Sequence, residues 1–166
     1  MTAAERRAAL WEALSQGEGP LSASALAARF GVSRQLVVGD VALLRASGAE
    51  ITATARGYLI RRPGLTRRLA CRHDAAGTRR ELLLMVDQGC TVLDVVVDHP
   101  VYGQLTGALH LSSRYDVEQF LRRAAYAPPQ TQLTRRVHLH TLSAPTPDAL
   151  RRAEEALAQA GILLEE

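Results

Sequence analysis

The segment Val137-His138-Leu139-His140-Thr141 carries the sharpest candidate chemistry in the sequence. In a β-strand, residues i and i+2 project from one face, so His138 and His140 stand side by side. Two neutral imidazoles on one face are a ready pair of nitrogen ligands for a divalent metal. The same spacing also fits two ordinary exposed strand residues, and a metal would need further ligands from elsewhere. His73, at the end of a candidate strand, and Glu81, in the first turn of the next helix, are the candidates. Glu81 has a competing local role. Thr78-x-x-Glu81 has capping-box spacing, in which the carboxylate bonds back to the Thr78 N–H. On spacing alone the capping box is the stronger reading. His99, before Pro100, is open to three roles: ligand, pocket wall or turn residue. His110 reads as an isolated strand residue with no role. No GxGxxG, Walker lysine, GxSxG or HExxH occurs, so the common nucleotide, serine-hydrolase and zincin signatures are missing. A metal hydrolase would need a second catalytic carboxylate in motif spacing, and none is evident.

These residues must be positioned by strands and helices. Arg67–His73 reads as a strand. Residues 78–89 read as a helix ending at Gly89, with Leu82, Met85 and Val86 inward. TVLDVVV over 91–97 is strand-like through its β-branched content. Val101–Leu111 is ambiguous, with a further strand the best reading. Asp116–Tyr126 is a helix with Val117, Phe120, Leu121 and Ala124 on one face, and Pro128-Pro129 ends it. Arg136–Leu142 is the strand of the two histidines. Thr146 caps a last helix that Pro147 starts, with Leu150 and Leu157 inward and Gly161 as its stop. The order is βαββαβα, an open-sheet α+β domain.

Ahead of it, residues 3–16 form a helix whose Leu10, Trp11 and Leu14 are expected to face inward. Gly17–Pro20 breaks it. Ser22 to Gly31 brackets a short helix. Ser33 then caps a third helix, in which Val37, Val41 and Leu44 share an apolar face and Gly48 is the stop. The other face starts with Arg34 and Gln35 and continues through Val38, Gly39 and Ala42. Arg and Gln at a helix N-terminus are suited to reading guanine and adenine edges in the major groove. Ile51–Ala53 and Tyr58–Ile60 alternate around Arg56-Gly57, a two-stranded hairpin. Three helices followed by a hairpin make a winged helix-turn-helix, with Arg56 at the wing tip near a phosphate or the minor groove. We therefore expect a DNA-reading domain over 1–62, a linker at Arg61-Arg62-Pro63-Gly64, and a second domain over 66–166.

Charge supports this division. All 20 basic residues are Arg. Residues 1–62 hold eight Arg against five acids, whereas residues 63–166 hold twelve against twelve. The basic excess sits with the DNA reader, as phosphate contacts require. Two cysteines without CxxC spacing suit a reduced, cytoplasmic protein. Neither a signal-peptide core nor a membrane-length apolar run is present.

Five strings in order, VSRQLVVGDVALLRASG, ITATARGYLI, ELLLMVDQG, DVVVDHPVYGQL and LTRRVHLHTL, closely resemble the niacin-responsive repressors. These join a biotin-repressor-type winged helix to a "three-histidine" regulatory domain. The resemblance covers nearly the whole chain. It implies a repressor of NAD-precursor genes with nicotinic acid as corepressor, and a homodimer on double-stranded, palindromic operator DNA rather than an enzyme. It also implies a regulatory domain like the histidine-containing phosphocarrier fold. His73, Glu81, His138 and His140 match the family's metal ligands, which lifts Glu81 above its capping role. Three imidazoles and a carboxylate suit zinc, nickel or iron. His99 and Tyr102 match the family's HPxYG motif and are expected in the effector pocket. Two departures stand out. Gly39 occupies a recognition-helix position where a polar residue is expected. Arg135-Arg136 replaces a Gly-rich approach to the histidine strand, and Arg136 is suited to bind an effector carboxylate. Two other functions are weighed against this one. A metal-responsive repressor would bind operator with metal alone. A metalloenzyme of pyridine metabolism with an appended DNA-binding domain would turn niacin over.

Overall fold

The computed structural model describes residues 1–60, 64–125 and 137–165. The chain divides into two compact units, Met1–Pro63 and Gly64–Glu166. Most of the expected linker, Arg61 to Pro63, lies outside the described residues, as do Pro128-Pro129 and Arg136.

The first unit contains α1 (Ala3–Gln16), α2 (Ala23–Phe30), α3 (Arg34–Ala46), β1 (Ile51–Thr54) and β2 (Gly57–Ile60). Each helix starts where its side-chain cap predicts. Thr2, Ser22 and Ser33 accept from the backbone N–H three residues on. This satisfies donors that the first turn leaves free. Leu10, Leu14, Leu26, Val37, Val41 and Ile51 form the core. Trp11 does not join it and is 39% exposed. Adjacent helical residues lie about 100° apart, so Leu10 and Trp11 cannot both face inward, and the face of Arg6, Leu10, Ala13 and Leu14 is the one buried. β1 and β2 pair antiparallel. Leu21 adds a bridge to Tyr58, its N–H donating to the Tyr58 carbonyl at 2.8 Å. Gly57 is required here: its φ is +133°, and a Cβ would collide with the Leu21 carbonyl.

The second unit runs β3 (Leu65–Cys71), a 3₁₀ turn (Ala75–Gly77), α4 (Thr78–Asp87), β4 (Thr91–His99), β5 (Gly103–Leu111), α5 (Arg114–Ala125), β6 (His138–Ala144) and α6 (Pro147–Gln159). The βαββαβα order and the α+β class hold. All strand pairs are antiparallel, in the order β3-β6-β4-β5. The last strand in the chain is thus inserted between the first two. The i, i+2 pairs Leu69/Cys71, Leu109/Leu111 and Leu142/Ala144 share a core with Leu82, Met85, Val117, Leu150 and Leu157 of the helices. Period-2 alternation therefore turns one sheet face toward α4, α5 and α6. His138 and His140 are on that same face of β6, ahead of Leu142 and Ala144.

Candidate metal centre and DNA-reading helix

Three elements bring four side chains together. His73 follows the end of β3, Glu81 lies in the first turn of α4, and His138 and His140 open β6. Antiparallel register sets Cys71 opposite His138 and Leu69 opposite His140, which carries the end of β3 to the start of β6. Glu81 is 1% exposed, His138 2% and His140 3%. Glu81 makes no capping box: Gly77 occupies the N-cap position and offers no side-chain bond. The carboxylate instead faces the imidazoles. His73 Nε2 lies 2.7 Å from Glu81 Oε2, His138 Nε2 lies 2.7 Å from Oε1, and His140 Nε2 lies 3.3 Å from Oε2. The rings of His73 and His138 stand edge to face at 4.9 Å, as do those of His138 and His140 at 5.0 Å.

Burial pushes the Glu81 carboxyl up, but the neighbouring imidazoles of His138, His140 and His73 outweigh it and hold the group far below the usual carboxylate range. The group is an ionised carboxylate. The bond to Glu81 raises His73, burial opposes that, and the Asp74 carbonyl adds to the rise. Burial, reinforced by Glu81, pushes the Cys71 thiol well up.

The residues fit a metal. His140 Nε2 is buried 3.3 Å from Glu81 Oε2 and makes no hydrogen bond among the described residues. Leaving such a nitrogen unmatched costs about 1–3 kcal/mol. One ligand atom each from His73, Glu81 and His138 lie within 4.8 Å of one another, so the three side chains converge on one small region. His140 is a looser fourth, reached through the same carboxylate oxygen as His73. A groove of about 640 Å³, lined by Arg72, His73, Asp74, Ala75 and Ala76, borders the cluster at His73.

His99 and Tyr102 are elsewhere. Val95 faces His140 across the ladder, and His99 is four residues further along β4, roughly 13 Å away. His99 Nδ1 accepts from the Val101 and Tyr102 backbone N–H groups, both at 3.1 Å, and its ring stacks on Tyr102 at 4.9 Å. Of its three candidate roles, the turn role is the one these bonds fill. Tyr102 is 74% exposed.

In the first unit, Arg34 and Gln35 lie exposed on the first turn of α3 and Val38 is half-buried behind them. Ser33 is the cap itself, its Oγ accepting from Leu36 N–H at 3.1 Å. Arg56 sits in the turn between β1 and β2. One buried ion pair was not anticipated: Arg6 Nε donates to Asp40 Oδ2 at 2.5 Å and its Nη2 to Oδ1 at 3.2 Å. It ties α1 to the inner face of α3. The sequence signal was an acid at position 40, inside the apolar set Val37, Val41 and Leu44.

Residues 66–166 match the family 3H domain, and residues 6–59 match an HTH domain. The chain belongs to the 3H-domain transcription repressors. It is 40% identical over 174 residues to "Transcription repressor NadR" of Bacillus subtilis (strain 168), covering 98% of this chain and 95% of that one. It is 37% identical over 166 residues to "Probable transcription repressor NiaR" of Thermotoga maritima, with the same coverage. This 3H-domain repressor is a DNA-binding regulator of the NiaR type. No helix among its described residues is long and apolar enough to cross a membrane.

Proposed function

We propose that this repressor controls NAD-precursor genes from the cytoplasm, with nicotinic acid as corepressor. In this reading His73, Glu81, His138 and His140 hold one divalent metal, zinc, nickel or iron. The observation that carries it is His140 Nε2, a buried nitrogen 3.3 Å from the Glu81 carboxylate that makes no hydrogen bond among the described residues. A bound metal would supply a Lewis-acidic position for the carboxylate or ring nitrogen of the effector. The protein's own part is to hold three imidazoles and one carboxylate in a dry site. Arg136 is proposed to meet the effector carboxylate, and His99 and Tyr102 to line the pocket.

The DNA-binding half of the proposal assigns base contacts to Arg34, Gln35 and Val38, with Ser33 holding the helix start and Arg56 at backbone or minor groove. A homodimer sets two recognition helices about 34 Å apart, one turn of DNA, on a palindromic operator. Metal-loaded protein is titrated with nicotinic acid while operator binding is read. Tighter operator binding with unchanged niacin is expected. Operator binding driven by metal alone would make the metal itself the effector, and consumption of niacin would make the protein an enzyme. Light scattering that gives one chain, free and on DNA, would remove the dimer.

A further inference from the structure

β4 carries a bulge. Val92 pairs with Leu142 and Asp94 with Thr141, so Leu93 is one residue more than β6 can match. A bulge breaks the ladder locally and leaves backbone groups to be satisfied otherwise. The Thr141 N–H donates to the Asp94 side chain, Oδ1, at 3.0 Å. The Asp94 backbone carbonyl takes the Nδ1–H of His140 at 2.7 Å. The carboxylate thus does what a ladder carbonyl would do, and the carbonyl is left to the imidazole. Only an N–H can bond to a carbonyl, so Nδ1 holds a proton and Nε2 is the nitrogen turned to Glu81.

A related construction follows β3. The Gly77 N–H closes the 3₁₀ turn on the Asp74 carbonyl at 3.0 Å and is shared with the Asp74 carboxylate, Oδ1, also at 3.0 Å. The Asp74 carbonyl takes Nδ1–H of His73 at 2.5 Å. The turn fits under the ring only because residue 77 has no side chain: a Cβ there would lie 2.8 Å from His73 Cβ and 2.9 Å from Cγ. Its φ is an ordinary −78°, so close approach, not backbone conformation, demands the glycine.

We propose that Asp94 and Asp74 are positioning residues for the histidine cluster. Asp94 uses its carboxylate to hold the Thr141 N–H that the bulge frees, and Asp74 uses its carboxylate to reinforce the turn that the Gly77 N–H closes. Each uses its carbonyl to hold one imidazole by its Nδ1–H, which turns Nε2 to Glu81. Gly77 makes room for the second. The value of this device to metal binding rests on the reading in the preceding section; the device itself does not.

The test therefore has two arms on the full chain. In the first, long-range proton–nitrogen NMR spectra of the metal-free wild type read which ring nitrogen of His140 and His73 bears the proton. A proton on Nδ1 is expected in both rings, and a His140 ring without a proton on Nδ1 overturns the proposal. In the second, nickel affinity is measured for Asp94→Ala, Asp94→Asn and Gly77→Ala. Asp94→Ala returns the Thr141 N–H to the carbonyl and is expected to lose about 10- to 100-fold in affinity. Asp94→Asn keeps an acceptor for Thr141 and is expected to stay within about threefold. Folded Asp94→Ala that binds nickel as wild type does overturns the proposal. If the alanine variant fails to fold, the wild-type spectra and Gly77→Ala, which is expected to displace His73 and weaken nickel, decide it. A wild type that binds no nickel defeats the metal reading, and the spectra still decide this one.

Discussion

A carboxylate that meets three imidazoles out of water is an expensive group to bury, and Glu81 remains buried because each of its oxygens is matched. Removing its charge strands the histidines. Glu81→Gln is expected to lower metal-free stability by about 1–3 kcal/mol, as a lost charge-assisted bond does, and to abolish stoichiometric metal binding. Urea unfolding and metal analysis check the two effects. His140→Ala removes one proposed ligand while sparing the first unit. Metal content should fall and nicotinic acid affinity with it, whereas the HTH unit stays folded by circular dichroism. Stoichiometric metal and unchanged niacin affinity in that variant would return His138 and His140 to ordinary strand residues. The pairing of these two was legible from strand period alone. The inclusion of Glu81 was not, because Thr78-x-x-Glu81 has the spacing of a cap and nothing local says that an imidazole will outbid the Thr78 N–H. The roles of Asp74 and Asp94 were not legible either. They depend on a bulge and a 3₁₀ turn, whose positions follow from packing rather than from residue pattern. The one hint was an acid in the middle of the β-branched run TVLDVVV.

Among the elements, α3 carries the clearest conflict between stability and use. Gly39 lies exposed in its middle, its φ is not in the left-handed region, and a Cβ there would meet nothing within 4 Å. Internal packing gives no reason for glycine, which costs about 1 kcal/mol of helix propensity against alanine. In the function proposed above, the helix face bearing Arg34, Gln35 and Val38 meets DNA, and a glycine behind them would allow close approach. Gly39→Ala is expected to raise stability by about 1 kcal/mol and to weaken operator binding. Thermal unfolding and a binding isotherm read the opposite signs; an alanine variant that binds operator at least as well as wild type would show that no close approach is needed. The inner face of the same helix depends on Arg6. Asp40→Ala leaves that guanidinium without its partner, so the melting temperature and operator affinity should fall together. Helix ends were read correctly where caps are local: Ser22, Ser33 and Thr146 each accept from the expected N–H. Trp11 was read wrongly because three apolar residues at i, i+1 and i+4 do not say which of the first two is inward.

At the scale of the whole molecule, charge and connectivity divide the work. The Arg excess of residues 1–62 was legible by counting. The insertion of β6 between β3 and β4 was not, since strand order reflects long-range pairing that a linear pattern does not carry. A ligand in the second unit can alter DNA binding only by favouring states that it binds differently, so base and backbone contacts in the first unit should be separable from the effector response. Arg34 and Arg56 provide that separation. Arg34 projects from the first turn of α3, where a fork of donors can meet guanine, and its loss should cost about 1–3 kcal/mol of discrimination between operator and mismatched DNA. Arg56 sits in the wing turn, where a phosphate contact carries no sequence information. Its loss should weaken every sequence alike and reduce the salt dependence of binding by about one released counterion per protomer. Affinities for operator and scrambled duplexes at several salt concentrations, for Arg34→Ala and Arg56→Ala side by side, give both numbers. If Arg34→Ala preserves the preference for operator, or if Arg56→Ala relaxes it, then α3 is not the base-reading element and the wing is.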